Sequence, residues 1–141
     1  MNRKAFIDTN IIVYAFDQST PQKAHIAKRI ITDGVADKQT ITSYQVVQEF
    51  INVALKGFRI APDSSDLESF LITALFPMAA VPTSPSLIMS ALRLQRGHPF
   101  SWFESMIVAA ALEADCRVLY SEDLQRGQRF GNLIVENPFL A

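Results

Sequence analysis

Apolar residues follow two rhythms along the chain, short continuous runs and longer stretches in which they recur every three or four positions. The run Ala5, Phe6, Ile7 predicts a strand. A second run over residues 11–16 (IIVYAF) prolongs an apolar, β-rich start beyond the interruption Asp8, Thr9, Asn10. Thr20-Pro21 reads as a helix start, Thr at the N-cap and Pro at the first helical position. Ala24, Ala27, Ile30 and Ile31 then share one face, with Lys23, Lys28 and Arg29 outside. Residues 39–42 form a short strand candidate. Thr42-Ser43 can cap a helix carrying Val46, Val47, Phe50, Val53 and Ala54 at helical spacing, and Gly57 ends it. Ser65-x-x-Glu68 reads as a capping box ahead of Leu67, Phe70, Leu71 and Leu75. Pro77 and Pro82 enclose a strand, MAAV. Ser84-Pro85 opens a helix that runs through Arg96 and stops at Gly97, and Ser101-x-x-Glu104 caps another reaching about Ala114. Residues 117–121 predict a strand, 127–131 a loop and 133–135 a last short strand before Asn137-Pro138.

Short apolar strands separated by longer helices indicate βαβ units and a parallel sheet covered on both faces. With right-handed crossovers the expected fold class is α/β, a three-layer α/β/α sandwich with a mainly parallel central sheet. The 141 residues show no repeat, low-complexity tract or linker, so one domain over 1–141 is expected. Area scaling for 15.7 kDa buries roughly two-thirds of the unfolded surface, enough for a core without staples. At 49% hydrophobic and 19% charged, a disordered chain is excluded.

Charge narrows the picture further. Thirteen Lys and Arg against fourteen Asp and Glu leave a net charge of −1, so nucleic acid cannot be held here by bulk basicity. Any grip must be local or run through cations. The lone Cys116 excludes an internal disulfide and suggests a reducing compartment. The chain starts without a signal-peptide pattern. Residues 69–92 carry no charge over 24 positions, but Pro77, Pro82 and Pro85 interrupt them, and they read as core rather than membrane span. A soluble, cytoplasmic protein is the expectation.

Four carboxylates stand where carboxylates are expensive. Asp8 closes the first apolar run, and Asp123 follows the run Val118, Leu119, Tyr120. Both therefore belong at the C-terminal ends of parallel strands, where crevices of open α/β sheets lie. Glu49 is embedded among Val46, Val47, Phe50 and Ile51 with no cation one turn away. Glu104 lies in a helix apolar on nearly every face, SWFESMIVAAAL, although there its capping box is a sufficient structural reason. Each has an ordinary reading as turn, surface or cap. Together they suggest converging anions, which a hard divalent cation such as Mg²⁺ or Mn²⁺ relieves. Such a site activates water for in-line displacement at phosphorus. Other chemistries are poorly supplied. His25 and His98 read as surface and loop residues, Cys116 as core, and no glycine-rich phosphate loop occurs.

IDTNIIVYAFD at the start, VVQEF in the second helical block, SWFESMIVAAALEADCRVLYSEDLQRGQ and the closing VENPF together resemble PIN-domain proteins. The likeness is greatest to the VapC-like toxin ribonucleases of toxin–antitoxin pairs. It runs from about residue 4 to residue 139. The resemblance implies a metal-dependent endoribonuclease whose acidic quartet, carried onto Asp8, Glu49, Glu104 and Asp123, binds Mg²⁺ or Mn²⁺. Asn10 and Ser121 fall where the family orients those acids by hydrogen bonds. Hydrolysis would leave a 5′-phosphate and a 3′-hydroxyl. A homodimer inhibited by a cognate antitoxin is likewise implied, with the apolar helix surfaces of residues 21–76 as candidate contacts. The resemblance departs at one position, since the third acid is usually Asp and here is Glu104.

For the RNA, Arg93 and Arg96 before the Glu104 helix, and Arg126 and Arg129 after Asp123, are candidate rim contacts. Phe100, Trp102 and Phe103 could stack bases, although at least two of the three are expected in the core. The alternative function is a catalytically weak or inactive PIN domain that binds RNA or protein, motivated by Glu104. A receiver-type domain would need a second acid after the first strand and a late lysine, yet no lysine follows Lys56. A haloacid-dehalogenase-like phosphatase would need DxD where this chain has DTN.

Overall fold

A computed structural model describes residues 3–56 and 64–140. Its centre is a six-stranded sheet in the order β3-β2-β1-β4-β6-β5, built from β1 (Ala5–Ile7), β2 (Thr40–Ser43), β3 (Ala79–Val81), β4 (Val118–Tyr120), β5 (Arg129–Phe130) and β6 (Leu133–Glu136). All neighbouring strands are parallel except β5 and β6. The helices are α1 (Thr9–Tyr14), α2 (Pro21–Asp37), α3 (Tyr44–Leu55), α4 (Ser64–Phe70), α5 (Phe76–Met78), α6 (Pro85–Gly97) and α7 (Trp102–Glu113). The chain steps outward from β1 to β2 to β3 and then returns across the sheet to β4. Right-handed crossovers therefore place the helices of the outward steps on one face and α6–α7 on the other. The protein is the expected three-layer α/β/α sandwich.

The strands are apolar runs rather than alternating ones because both faces of the sheet are covered. Phe6 and Ile7 on β1, Leu119 on β4 and Leu133 and Val135 on β6 are all fully buried. Ser43, Ser84 and Ser101 cap α3, α6 and α7 as expected, each accepting a backbone N–H into its hydroxyl oxygen.

Several expectations are corrected. Residues 11–16 do not continue a strand, since Thr9–Tyr14 is a helix that Asp8 caps by accepting the Thr9 N–H. Ile11, Ile12 and Ala15 are buried at helical spacing there, and that packing outweighs the mild helix penalty of β-branching. Thr20 stands at the N-cap of α2 but makes no cap bond, and its hydroxyl is buried without a partner. The helix expected to continue through residue 75 becomes a π-helix over Leu71–Leu75, closed by the Phe76 N–H on the Leu71 carbonyl. The wider turn accommodates Pro77, which has no N–H and whose ring would strike the carbonyl four residues earlier. Gly57 and the Ser65 side chain lie outside the described residues. The loop expected at 127–131 contains β5, a two-residue strand pairing Arg129 with Ile134 and Phe130 with Leu133. Residues 69–92 are only half core: Leu75, Met78, Leu87 and Ala91 are buried, whereas Ile72, Phe76, Ile88 and Met89 are exposed. Among the described residues no helix is long and apolar enough to cross a membrane.

Candidate functional site

The sheet order makes β1 the neighbour of both β2 and β4, so the chain leaves three adjacent parallel strands at one edge. Asp8 follows β1 directly and is buried. Its backbone N–H donates to the Tyr120 carbonyl at 3.0 Å, which ties the end of β1 to the end of β4. The carboxylate accepts the Thr9 N–H at 2.7 Å on one oxygen and the Ser121 hydroxyl at 2.8 Å on the other. The Ser121 oxygen in turn accepts the N–H groups of Asp123 at 3.2 Å and Leu124 at 3.3 Å. One buried hydroxyl therefore fixes both Asp8 and the loop that carries Asp123.

Asn10 joins the two aspartates. Its side-chain amide lies 3.1 Å from an Asp123 oxygen and 3.4 Å from Asp8 Oδ2, and its own oxygen accepts the Glu122 N–H at 3.2 Å. Glu49, on α3 beyond β2, accepts the Thr9 hydroxyl at 2.9 Å and lies 3.5 Å from the Gln45 amide. Burial pushes the Asp8 carboxyl up to about 6 against the Ser121 and Thr9 hydrogen bonds, and the negative charges of Asp123 and Glu49 add to the rise. Two of the other expected acids, Asp123 and Glu49, thus act on Asp8.

Glu104 is placed differently. Its Oε1 accepts the Ser101 N–H at 2.9 Å while the Ser101 hydroxyl accepts the Glu104 N–H at 3.1 Å, a complete capping box. The longer side chain reaches back over its own helix start. Among the described residues, no three acid, imidazole or thiol side chains are drawn close enough to form a ready-made metal cage. The chemistry of the donors nonetheless fits a hard divalent cation, because the oxygens that Asn10 bridges with its NH₂ group are the carboxylate oxygens of Asp8 and Asp123. His98 is engaged elsewhere, bonded to the Leu94 carbonyl and stacked on Phe100. Cys116 is buried, which pushes its thiol up to about 12.

Thr9 and Gln45 escaped the sequence reading, although both carried a signal. Thr9 lies inside DTN, and Gln45 is the residue one helical turn before Glu49. Glu122, next to Asp123, was also missed. It accepts the Tyr14 hydroxyl at 2.6 Å and pairs with Lys23 at 2.5 Å, while Lys23 lies 4.6 Å above the Tyr14 ring. Burial works against the Glu122 charge, but the Lys23 and Tyr14 hydrogen bonds outweigh it and hold the carboxyl low. This pair fastens the loop after β4 to α1 and α2.

The four candidate arginines, Arg93, Arg96, Arg126 and Arg129, are exposed. Arg93 borders a cleft with Ser90, Leu94, Ala109, Leu112 and Glu113, so it faces the later turns of α7 rather than its first. Arg126 lies in the turn before Gly127, and Arg129 on β5. The aromatic expectation is corrected: Trp102 is 37% and Phe103 60% exposed, and of the three only Phe100 packs against the core. The apolar contacts of α7 are made by residues 105–111, one turn further on.

The family model for the PIN domain matches residues 5–128. A solved toxin–antitoxin complex from Klebsiella pneumoniae superposes with a TM-score of 0.67 at 16% identity, over 96% of this chain and 98% of that one. VapBC2 from Rickettsia felis, solved bound to a DNA fragment from its promoter, gives a TM-score of 0.61 at 19% identity, over 94% and 97%. At these identities the likeness establishes the fold. Comparison with curated proteins finds no match.

Proposed function

The chain belongs to the PIN-domain family, and from that premise we propose that it is a Mg²⁺- or Mn²⁺-dependent endoribonuclease, the toxin of a toxin–antitoxin pair. The observation that carries the reading is Asp8, a buried carboxylate whose raised pKa reflects burial and two neighbouring acids. Such an arrangement disfavours its own ionised form until a cation enters.

Asp8 and Asp123 would hold the cation, with Glu49 and Glu104 completing the shell directly or through water. When bound, it supplies a positive charge beside the scissile phosphate and lowers the pKa of a coordinated water. The remaining roles belong to the protein. Ser121 and the Thr9 N–H fix both oxygens of Asp8, Asn10 sets the spacing of Asp8 and Asp123, and Thr9 steadies Glu49. Supporting groups of this kind orient ligands and tune their basicity. Arg93, Arg96, Arg126 and Arg129 are proposed to contact RNA phosphates from the surrounding surface. The exposed Ile72, Phe76, Ile88 and Met89 offer apolar area for a second copy or an antitoxin. The reading includes a single domain working in the cytoplasm.

One observation favours a second reading, a PIN domain that binds without cutting: the Glu104 carboxylate is engaged in its own helix cap. Cleavage of a mixed RNA pool by the purified chain, with Mg²⁺, with Mn²⁺ and with chelator, separates the two. Metal-dependent cleavage that falls at least a hundredfold in Asp8→Asn is the expected outcome. A silent wild type beside an active Glu104→Asp variant would favour the binding module. Silence in both, with no cation bound by calorimetry, would remove the acidic-site reading.

A further inference from the structure

Lys23 stands in the first turn of α2, two residues after Pro21, where the helix's unpaired N–H groups disfavour a cation. No acidic residue shares that turn. The ammonium is met from elsewhere in the chain. It pairs with Glu122 at 2.5 Å and lies 4.6 Å from the centre of the Tyr14 ring and 5.5 Å from that of Phe139. These two rings meet edge to face at 5.0 Å. The Lys23 and Glu122 side chains stay 35% and 26% exposed, and an ion pair left so wet adds little to stability. A cation kept at a local cost for little stability directs attention to what its partner carries.

Glu122 is the residue before Asp123, in a loop over 121–128 that has neither helix nor strand. One face of α1 grips this loop twice. Asn10 and Tyr14 are four residues apart and so lie on the same side of that helix. The Asn10 oxygen accepts the Glu122 N–H at 3.2 Å, and its NH₂ group donates to Asp123 at 3.1 Å. The Tyr14 hydroxyl donates to Glu122 Oε1 at 2.6 Å, and Lys23 takes the other oxygen, Oε2. Both carboxylate oxygens of Glu122 are thus committed. Asp123, itself exposed, follows an immobilised neighbour.

We propose that Lys23, acting through Glu122, is a positioning residue that holds Asp123 in place for the acidic site. The proposal rests on the metal-site reading of the acids. Lys23 touches neither the cation nor the RNA, and Tyr14 shares its task from the opposite oxygen. Removing a nearby positive charge would by itself strengthen cation binding. Weaker binding without Lys23 therefore reports lost position rather than lost charge.

Mn²⁺ binding to the full-length chain is measured by calorimetry, with RNA cleavage run alongside. Lys23→Met should weaken Mn²⁺ binding about tenfold and lower kcat, with KM for RNA unchanged. Lys23→Arg should recover most of the loss. Tyr14→Phe, which removes a single hydroxyl, should give a smaller loss in the same direction. The metal-free chain offers a second readout, amide exchange followed by NMR. The Asp123 and Leu124 N–H groups donate to the Ser121 hydroxyl oxygen, and both should exchange faster in Lys23→Met than in wild type or Lys23→Arg.

A lower melting temperature with unchanged Mn²⁺ affinity would reduce the pair to an ordinary fastening and overturn the proposal. Tighter Mn²⁺ binding in Lys23→Met would do the same, because charge alone would then be at work. A raised KM with unchanged Mn²⁺ affinity would make Lys23 an RNA contact instead. A wild type that binds no Mn²⁺ removes the metal-site reading alone. The exchange rates still decide the proposal, which stands on faster exchange at Asp123 in Lys23→Met and falls if that rate is unchanged.

Discussion

At the scale of the residue, Asp8 holds the sharpest conflict. Its carboxyl titrates at about 6 in the fold against 3.8 for an unperturbed aspartate, so between those values the native chain binds a proton that the unfolded chain releases. This group's stabilisation is therefore full below pH 3.8 and is lost as pH rises through about 6. A shift of that size corresponds to roughly 3 kcal/mol. In chelator, Asp8→Asn should be more stable than the wild type at pH 7.5 by up to about that amount, and the two should converge near pH 4. Urea denaturation at the two pH values measures the difference. Mg²⁺ should then raise wild-type stability at pH 7.5 and leave Asp8→Asn unmoved. A variant less stable than wild type at pH 7.5, or a gap that widens on acidification, would contradict this account of Asp8. Pattern placed Asp8 at the end of a buried strand, but a turn aspartate is an ordinary reading of that position, and only its agreement with the other three acids singled it out. The Asn10 bridge from Asp8 to Asp123 spans 113 positions between Asn10 and Asp123, and no local rule measures that distance.

At the scale of the element, α2 is held to the sheet by an absence. A Cβ on Gly34 would lie 2.5 Å from the Thr40 Cβ and 2.8 Å from its hydroxyl oxygen. Thr40 is the first residue of β2, and its branch point cannot swing aside. Helix propensity argues for Gly34→Ala by about 1 kcal/mol, but overpacking against a strand costs about 1–3 kcal/mol. The contact should win, so the variant should melt lower than wild type in a thermal scan. An equal or higher melting point would mean that α2 can move off β2 without loss.

The elements also show where local reading works. Ser43, Ser84 and Ser101 announced their helices because a hydroxyl at an N-cap is satisfied within three residues. Thr20 had the same sequence signal, but its backbone at φ −129° and ψ 71° leaves the hydroxyl without a cap bond. The start of α1 was illegible for a different reason: Ile11, Ile12 and Val13 suit a strand locally, and only burial against the rest of the core makes them a helix. The turn through Gly131 into β6 hid β5 because two residues carry too little pattern to register.

At the scale of the whole molecule, the difficulty is that a nearly neutral, slightly acidic chain is proposed to handle a polyanion. With a net charge of −1 and an isoelectric point near 6.1, long-range attraction contributes little to encounter. The acids at the sheet's edge repel phosphate until a cation sits among them. What remains near the proposed site is the four candidate arginines. Counterion release makes the consequence quantitative, because each neutralised phosphate of a single strand contributes a slope of about −0.7 to log K against log salt. Even if all four arginines made contact, the slope should be no steeper than about −3. Arg126→Ala and Arg129→Ala should each flatten it by about 0.7 if their side chains reach the strand. Arg93, facing the later turns of α7, should flatten it least. Oligonucleotide anisotropy across a salt series, in wild type and the four single variants, measures both quantities. A wild-type slope near −6 would require a basic surface that thirteen cations set against fourteen anions do not provide here. A shallow slope that none of the four variants changes would mean that contacts other than these arginines hold the strand over the acids.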